Sequence, residues 1–425
     1  MAVGFPYFLL LLFGLTIFYF VYNQQLLIEI INQLPINVSS SLTESDSPSI
    51  RMTVVDSKIP ILLYWNRYFV NEFERFIPDS TTAFDCQFKC QHTSNRTQKD
   101  AAEIRVFHER HVNPEDLPPK SSRAFNVLFT LEPPYLTYSK FEKVDSDQKL
   151  PMDYFHHFAS YRTSTPVYYP YDQFVPLDGS ETDDERWTKP QIEERLKLKK
   201  LPVLIAMSNC NSDSKRHVYV RELQKHIKVT RVGACDGTIH CAKDPPGHAL
   251  RKDMDCMAHL NEAHYFYLAF ENSVCPELLT EKFWRLRQLI VPIVLTRSVI
   301  PLHLPNDTFI AANDFDSPFE LAAYLKWLIG NPREYQKWAK RFRRTPLTEA
   351  EINVGCQLCE LAYTNRKQRP TPIPNYKEYW SQKECASDYA TILMGNNSEA
   401  LRTTDDQLSK ALQQSYRNRT LSRIV

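Results

Sequence analysis

The chain has 425 residues, of which 43% are hydrophobic and 24% are charged, and these values exclude both a single small domain and global disorder. The 51 Lys and Arg residues almost balance the 50 Asp and Glu residues, so a net charge of +1 excludes a bulk attraction for nucleic acid. The 9 glycines never form a Gly-x-Gly pattern, which excludes the glycine-rich dinucleotide fingerprint and the P-loop.

The N-terminus carries an uncharged apolar run over residues 5–22. Its length suits a membrane-spanning helix, and bulky residues follow it instead of a small-x-small cleavage site. We therefore predict an uncleaved transmembrane anchor, with a signal peptide as the alternative. Residues 1–4 would form a cytoplasmic tail, and the Ser-, Thr- and Asn-rich residues 23–58 would form a stem.

The rest of the chain has features of a protein of the secretory lumen. Five tripeptides match the N-glycosylation acceptor pattern, at Asn37, Asn95, Asn306, Asn396 and Asn418. Ten cysteines, an even number, favour structural disulfides in an oxidising compartment over a zinc or redox site.

Six of the cysteines lie close to one another in sequence and suggest local disulfides. The candidate pairs are Cys86 with Cys90, Cys235 with Cys241, and Cys356 with Cys359. Cross-links between the two ends of the chain are equally consistent with the spacing.

The first folded region is predicted over residues 59–180 as an N-terminal α/β domain. Apolar runs over 59–65, 105–108 and 125–132 are typical of strands, and turn or loop residues follow each of them.

A polar linker over 177–190 precedes a region of regular strand and helix alternation, predicted as a C-terminal domain over 181–385. Its helix-start signature consists of Thr188, Pro190 and Gln191. Strands are predicted over 202–208, 228–232, 265–270, 291–295 and 308–312. Helices are predicted over about 214–227, over about 280–290, and from Ser317, where Pro318 and Glu320 complete a capping box. Such alternation indicates a doubly wound parallel sheet. Residues 386–425, which follow this domain, are predicted to form a polar tail with one amphipathic stretch.

Polar side chains follow two strands of this predicted sheet, where a parallel sheet binds its ligands. Glu271 and Asn272 follow one strand, and Glu281 and Lys282 open the next helix, an arrangement that suits a diphosphate. Ser208, Asn209 and Arg216 repeat this design after a neighbouring strand. Simple helix capping and solvation are the alternative.

Glu132 stands at the end of the predicted strand 125–132, where Pro133 and Pro134 prevent the strand from continuing. One positioned carboxylate is what inverting glycosyl transfer requires of its base. An ordinary surface carboxylate is the alternative. Arg162, which lies among aromatic and hydroxyl side chains, could bind a phosphate or stack on Tyr.

Three Asp-x-Asp pairs could hold a divalent cation on a sugar nucleotide, and with 50 acidic residues such pairs also arise by chance. They are Asp145 with Asp147, Asp253 with Asp255, and Asp314 with Asp316. A metal site is therefore not predicted.

The segment 266–295, FYLAFENSVCPELLTEKFWRLRQLIVPIVL, resembles the donor-binding motif of the α1,3-fucosyltransferases, a family of Golgi type II membrane proteins. Its core is Phe-Glu-Asn-Ser followed by Thr-Glu-Lys and Val-Pro-x-Val. The resemblance extends over residues 60–385, through the blocks at 131–138, 154–171, 208–229 and 356–359.

This resemblance implies a GT-B arrangement of two facing Rossmann-like domains behind one transmembrane helix, with the catalytic domain in the Golgi lumen. It implies inverting transfer of L-fucose from GDP-fucose in α1,3 linkage to N-acetylglucosamine of a glycoprotein glycan, at an N-glycan core or a lactosamine-type antenna. No cofactor would be required, and a divalent cation would at most stimulate the reaction.

The resemblance also implies residue roles. Glu132 would be the base, and Arg162, Arg216 and Lys282 would neutralise the diphosphate. Glu271 and Asn272 would lie on the fucose or ribose side. Ser208, Asn209 and Glu281, predicted from their positions at a strand end and a helix start, complete the expected donor-binding residues.

The chain departs from the family pattern at Glu277 and Leu278, where the family has Asp-Tyr, and in a shortened link over about 285–292. A Gly is also replaced near Thr296, and another at Asp172. These departures leave an inactive luminal binding protein as the alternative, and intact Glu132 and Lys282 favour the enzyme. Metal-dependent transfer through an Asp-x-Asp pair is a further alternative.

Overall fold

The computed structural model describes residues 59–68, 77, 86–121, 123–137, 149–172, 188–235, 237, 239, 241, 254–284, 289–339, 354–366, 371–395 and 397–422. The chain divides into two compact units, residues 1–57 and 58–425, and all described residues belong to the second. The predicted cytoplasmic tail, anchor and stem lie outside the described residues. Within the described residues, no helix combines the length and the apolar character needed to cross a membrane.

The N-terminal half forms a six-stranded parallel sheet with the order β2-β1-β3-β4-β5-β6. Its strands are β1 (Ile61–Tyr64), β2 (Gln91–Thr93), β3 (Ile104–His108), β4 (Phe125–Thr130), β5 (His157–Ser160) and β6 (Val167–Tyr168). The apolar runs predicted as strands are confirmed in β1, β3 and β4. These strands are buried along their whole length, as expected for a parallel sheet covered on both faces.

The C-terminal half forms a five-stranded parallel sheet with the order β11-β10-β9-β7-β8. Its strands are β7 (Leu201–Ala206), β8 (Val229–Val232), β9 (His264–Leu268), β10 (Val291–Val294) and β11 (Ile310–Ala311). All five strands predicted for this half are present, with slightly shorter bounds. The prediction of an α/β fold with parallel sheets is confirmed.

Helices connect and cover the strands. They are α1 (Lys189–Leu198), α2 (Arg216–Leu223), α3 (Met254–Ala263), α4 (Glu281–Trp284), α5 (Pro318–Gly330), α6 (Pro332–Ala339), α7 (Val354–Asn365), α8 (Tyr376–Tyr379), α9 (Tyr389–Met394) and α10 (Ser398–Ser422). The start signals of two helices are confirmed. Thr188 and Gln191 form the capping box of α1. Ser317 caps α5 ahead of Pro318, but the predicted capping box is incomplete, because the Glu320 side chain accepts from the Asp316 N–H and not from that of Ser317.

The two sheets are joined by a shared apolar contact. Cys275 and Leu278, in the loop after β9, are buried in a cluster with Leu63 of β1, Phe158 of β5 and Trp380. Leu278, which stands where the family has Tyr, is 2% exposed. Its side chain therefore packs in the core beneath the N-terminal sheet.

Residues 386–425, predicted as a polar tail, contain the short helix α9 and the long helix α10. The amphipathic stretch 405–415 lies inside α10. Asp405 on this helix accepts hydrogen bonds from Thr296 and Ser298, both at 2.9 Å, just beyond the carboxyl end of β10. It also accepts one from Asn313 at 3.1 Å, beyond β11. Helix α10 is thereby fixed over the carboxyl ends of two strands.

All ten cysteines form disulfides, and the predicted local pairs are wrong. The bonds are Cys86–Cys356, Cys90–Cys359, Cys210–Cys235, Cys241–Cys256 and Cys275–Cys385. The alternative of cross-links between the two ends is correct for the first two. Cys356 and Cys359 lie about one turn apart on the same face of α7, and that face packs against the segment that carries Cys86 and Cys90.

Candidate active site

The candidate site residues lie beyond the carboxyl ends of strands in both sheets. Glu132 follows β4 and Arg162 follows β5, whereas Glu271 follows β9. This is the edge at which parallel sheets bind ligands. The loop that carries Leu278 into the N-terminal core starts from the same edge of the C-terminal sheet.

Glu132 is held by an arginine that the sequence analysis did not identify. Its Oε1 atom pairs with Nη2 of Arg110, and the side chains of the two residues are each 24% exposed. Nε of Arg110 lies 3.3 Å from Oε1 of Glu109, whose other oxygen lies 3.0 Å from Nε2 of His108. Glu132 is thus the outer end of a chain of ionisable side chains that leads into the core.

The backbone around Glu132 is fixed as predicted, although the strand ends earlier, at Thr130. The hydroxyl of Thr130 accepts a hydrogen bond from the Glu132 N–H at 3.3 Å. Pro133 and Pro134 then lead into a helical turn over 134–137, because proline cannot donate to the next ladder position.

Arg162 is 5% exposed and lies against aromatic and acidic side chains. Its guanidinium carbon lies 4.2 Å from the centre of the Trp380 ring, and Nη1 donates to Glu384 at 2.7 Å. Burial alone would lower the pKa of Arg162, but Tyr161 and Glu384 outweigh burial and raise it. Nε and Nη2 have no hydrogen-bond partner among the described residues, so this cation keeps donors for an anion.

Lys282 and Glu271 form the centre of the C-terminal part of the site. Nζ of Lys282 lies 2.9 Å from Oε2 of Glu271, 2.7 Å from the Thr280 hydroxyl and 3.2 Å from Oε1 of Glu281. Glu271 also accepts hydrogen bonds from the backbone N–H and the hydroxyl of Thr280, both at 2.8 Å. Burial alone would lower the pKa of Lys282, but Glu271 and Glu281 outweigh burial and raise it, so the ammonium stays charged.

Residues at the start of helix α2 contact the segment 270–272, which follows β9. Nη1 of Arg216 donates to the Phe270 carbonyl at 2.5 Å, and its Nε atom is buried without a partner in the described part of the chain. The Ser214 hydroxyl and N–H donate to the Glu271 and Asn272 carbonyls at 2.7 and 2.9 Å. Burial lowers the pKa of Arg216, and Glu271 opposes this effect.

Tyr171 connects the two halves of the site. Its hydroxyl donates to the Leu131 carbonyl at 2.8 Å, immediately before Glu132. Burial raises the pKa of Tyr171, and the carboxylates of Glu132, Glu281 and Glu271 raise it further. The Tyr171 hydroxyl therefore fixes the backbone immediately before the candidate base.

A cavity of about 360 Å³ lies beyond the carboxyl ends of β1, β2 and β3. It is lined by Tyr64, Trp65, Asn66, Arg67, Ser94, Arg96 and His111. The guanidinium carbon of Arg96 lies 4.4 Å from the centre of the Trp65 ring, and Arg96 pairs with Asp116 at 2.8 Å. The polar groups that converge on this cavity suit a ligand rich in hydroxyl groups, such as a sugar.

Comparison with known proteins decides the family. Residues 196–379 match the model of the glycosyltransferase family 10 (fucosyltransferase) C-terminal region, and residues 57–172 match that of the fucosyltransferase N-terminal region. A 4-galactosyl-N-acetylglucosaminide 3-α-L-fucosyltransferase of Homo sapiens is 30% identical over 313 residues, which cover 71% of this chain and 78% of the relative. The chain belongs to glycosyltransferase family 10, the fucosyltransferases.

Other relatives of this fucosyltransferase agree. An α-(1,3)-fucosyltransferase of Caenorhabditis elegans is 29% identical over 371 residues, covering 83% of this chain and 77% of the relative. A 3-galactosyl-N-acetylglucosaminide 4-α-L-fucosyltransferase of Bos taurus is 32% identical over 304 residues, covering 68% of this chain and 74% of the relative. The assignment made from the motif is confirmed, and the alternative of an inactive binding protein has no support.

The second predicted anion-binding cluster is only partly assembled in the fucosyltransferase. Ser208 and Asn209 follow β7, but Asn209 accepts from the Asn211 N–H at 3.2 Å, and the two residues make no hydrogen bond with Lys282 among the described contacts. The backbone of Gly233 packs closely against this segment. A Cβ atom at position 233 would lie 2.4 Å from the Met207 carbonyl oxygen and 3.0 Å from the Ser208 hydroxyl, so only glycine fits there.

Only some of the predicted glycosylation sites and aspartate pairs fall within the described residues. Asn95 and Asn306 are exposed, Asn418 lies in α10, and Asn37 and Asn396 lie outside the described residues. Over the described ranges, no group of His, Cys, Asp or Glu side chains could hold a metal ion. Asp314 instead pairs with Arg297 at 2.6 Å. Asp145, Asp147 and Asp253 fall outside the described residues.

The fucosyltransferase site contains residues that sequence reasoning missed, chiefly Arg110, Tyr171, Glu277 and Glu384. Arg110 could have been considered, because it follows the predicted strand 105–108 just as Glu132 follows the strand 125–132. In the structure these strands are neighbours, and their register pairs His108 with Phe129, so the residues that follow both strands lie side by side. For Glu384, which lies 222 positions from Arg162 in sequence, no local signal could have identified the contact.

Proposed function

We propose that this fucosyltransferase moves L-fucose from GDP-fucose to N-acetylglucosamine of a glycoprotein glycan in α1,3 linkage. The names of the nematode and human relatives support this linkage, and the bovine relative's name makes α1,4 transfer the competing outcome. The observation that carries the proposal is the buried contact of Lys282 with Glu271 at 2.9 Å, beyond β9 and inside the region that matches the fucosyltransferase C-terminal model. A base and a diphosphate-binding group must meet at one sugar carbon for such a transfer.

The donor diphosphate would be bound by Lys282, Arg216 and Arg162. The exposed fraction is 14% for the Lys282 side chain, 5% for Arg162 and 2% for Arg216. A phosphate bound beside them would lie in a region of low dielectric constant, where opposite charges attract each other more strongly than in water. Unpartnered donors on Arg162 and Arg216 favour this role. Glu271 and Asn272 would face the fucose or ribose hydroxyls, and Glu281 would hold the ammonium of Lys282.

Glu132 would act as general base in a single displacement. Its carboxylate takes the proton of the acceptor 3-hydroxyl while that oxygen attacks C1 of fucose from the face opposite the diphosphate. The bond between C1 and the phosphate oxygen breaks, and GDP leaves with that electron pair. The configuration at C1 inverts, and the cationic side chains stabilise the charge that develops on the leaving diphosphate.

The acceptor glycan would bind in the cavity beyond β1, β2 and β3. Asn66 and Arg67 offer polar groups to sugar hydroxyls, and the Trp65 ring, which Arg96 covers, forms part of the cavity wall. Because β3 is the neighbour of β4, a sugar in this cavity lies on the Glu132 side of the site. Either an N-glycan core or a lactosamine-type antenna would supply the N-acetylglucosamine.

No metal ion or other cofactor is proposed for the reaction. Cationic side chains would neutralise the diphosphate, so a divalent cation would at most stimulate transfer. Excess EDTA should therefore leave most of the activity intact. Loss of activity with EDTA, recovered with Mn²⁺, would instead support metal-dependent transfer.

We also propose that the enzyme is a single-pass Golgi membrane protein with its catalytic domain in the lumen. The five disulfides support an oxidising compartment. In sealed Golgi vesicles, protease should leave the catalytic domain intact until detergent is added. Digestion without detergent would contradict this location.

The proposed function is tested by incubating the secreted domain, residues about 50–425, with GDP-fucose carrying labelled fucose and a panel of N-glycan and lactosamine acceptors. Transfer and product linkage analysis would identify the acceptor and separate α1,3 from α1,4. GDP binding without transfer to any N-acetylglucosamine acceptor would contradict the proposed acceptor class. Absence of GDP binding would contradict the donor site.

A further inference from the structure

Glu277 joins three separate segments of the fucosyltransferase. Its Oε2 atom accepts a hydrogen bond from the Thr163 N–H at 2.9 Å, and its Oε1 atom accepts one from the Ser415 hydroxyl. Its own N–H donates to the Val299 carbonyl at 2.8 Å. One carboxylate thus ties the loop after β9 to the loop after β5 and to helix α10.

The backbone at Glu277 indicates that these contacts are specific. Its φ angle is 65°, in the left-handed region that residues with a Cβ atom rarely adopt. The residue is also 3% exposed, so its carboxylate has lost most of its water. A buried charge in an unfavourable backbone conformation persists only where the surrounding contacts hold it.

The contact with Thr163 reaches the donor site through the next residue along the chain. Thr163 directly follows Arg162, whose Nη1 atom is fixed by Glu384 on the opposite side. Glu277 therefore fixes the backbone of this loop, and Glu384 fixes the end of its side chain. Nε and Nη2 of Arg162 remain without a partner among the described residues.

Helix α10 supplies the contact with Ser415. It lies beyond both regions that match the family models, since the N-terminal match ends at residue 172 and the C-terminal match at residue 379. Asp405 attaches the helix to Thr296 and Ser298. Ser415 lies further along the helix, where its hydroxyl meets Glu277. An element outside the family match therefore reaches the loop that carries a proposed donor ligand.

We infer that Glu277 is a positioning residue that holds Arg162 in place for the donor diphosphate, and that helix α10 supports it through Ser415. This inference rests on the proposed donor role of Arg162. It assigns to the C-terminal helix a part in donor binding, and it explains why an acidic residue occupies position 277.

The test uses Glu277→Gln and Ser415→Ala in the folded catalytic domain, with the dissociation constants for GDP and guanosine as the readout. Guanosine lacks the diphosphate, so it reports on the rest of the nucleotide site. GDP affinity should fall about 5- to 20-fold in Glu277→Gln and about 2- to 5-fold in Ser415→Ala, while guanosine affinity should not change. Ser409→Ala, the same substitution on the same helix, should bind GDP like the wild type.

A double-mutant cycle separates positioning from general destabilisation. In an Arg162→Ala background, Glu277→Gln should cause no further loss of GDP affinity. Equal loss of GDP and guanosine affinity, or a full additional loss in that background, would overturn the inference. If Glu277→Gln does not fold, Ser415→Ala with unchanged GDP affinity would overturn it.

The cycle also separates the donor role of Arg162 from the positioning role of Glu277. Unchanged GDP affinity in Arg162→Ala would overturn the donor role of Arg162, and the inference with it. Weaker GDP binding in Arg162→Ala together with wild-type binding in Glu277→Gln and Ser415→Ala would leave the donor role standing and overturn only the inference.

Discussion

The guanidinium of Arg110 pairs with the carboxylate of Glu132 at the carboxyl ends of two neighbouring parallel strands. Glu109, which is almost fully buried, holds Arg110 from the other side. A lone carboxylate at a strand end would sample several rotamers, whereas this one is restrained by a planar cation that is itself restrained. The candidate base is therefore oriented before any substrate arrives.

Loss of this restraint should slow the chemical step more than it weakens donor binding. Arg110→Gln is expected to lower kcat by about 10- to 100-fold, because a misplaced base loses the geometry of the reaction. The dissociation constant for GDP should stay within about twofold of wild type, since Arg110 acts through Glu109 and Glu132 on the acceptor side of the site. Arg123→Gln, at an exposed arginine, is the control. A wild-type kcat in Arg110→Gln would contradict this role.

Lys282 should matter mainly for the donor. Lys282→Ala removes a buried cation and leaves Glu271 and Glu281 facing the diphosphate, so GDP affinity should fall by about 30-fold or more. Lys225→Ala, which removes a surface ammonium paired with Glu222 at 2.7 Å, is the control. Calorimetric titration with GDP measures the difference. Equal affinity in the Lys282 variant and the wild type would remove the phosphate role.

The two disulfides to helix α7 should stabilise the fold non-additively. Cys86–Cys356 and Cys90–Cys359 close loops of almost the same size, with sequence separations of 270 and 269. Removing one pair leaves the loop closed by the other. Replacing both pairs with Ala should therefore cost about 5 kcal/mol in the free energy of unfolding, far more than the sum of the single replacements. Denaturant unfolding measures this, and additive losses would contradict the shared-loop argument.

Stability should fall as the pH drops from about 6.5 towards 4. Burial lowers the pKa of His156 and of His157 to about 4, so the folded state takes up these protons later than the unfolded state does. The unfolded chain binds more protons between these values, and the free energy of unfolding must then decrease as the pH falls. The His156 ring accepts a hydrogen bond from the Asn126 N–H at 3.0 Å, which requires its neutral form.

The matched variant for this pH dependence is His157→Phe. Its ring can stack on Phe125 as the imidazole does, at a centroid distance of 5.4 Å. The slope of unfolding free energy against pH near pH 5 should be smaller in this variant by about one proton, or about 1.4 kcal/mol per pH unit. An unchanged slope would contradict the assignment of the shift to His157.

Much of the fold could be predicted because its strands are short apolar runs that alternate with helices. The strands at 61–64, 125–130 and 291–294 are buried along their whole length, so each appears in the sequence as an uninterrupted apolar segment. Strand β2, with the sequence QHT, has no such pattern. It pairs with β1 at the edge of the sheet, where backbone hydrogen bonds and not apolar burial define it.

The candidate site could be predicted where its residues follow strands and not where they meet across the fold. Glu271 and Lys282 lie in one strand–helix unit, and their contact at 2.9 Å follows from that proximity. The partners of Arg162 come from residue 384 and from the Trp380 ring. Such long-range contacts depend on how the chain returns to the N-terminal sheet, which no local pattern encodes.

The proposed mechanism requires Glu132 to be the general base. The decisive measurement is the turnover of Glu132→Gln with GDP-fucose and the best acceptor of the panel. The amide keeps the size and shape of the side chain, but an NH2 donor replaces one acceptor oxygen, and the group cannot take the proton of the acceptor hydroxyl. If Glu132 is the base, kcat falls by about 10³-fold or more while GDP affinity stays that of the wild type. Wild-type turnover in Glu132→Gln would contradict this role.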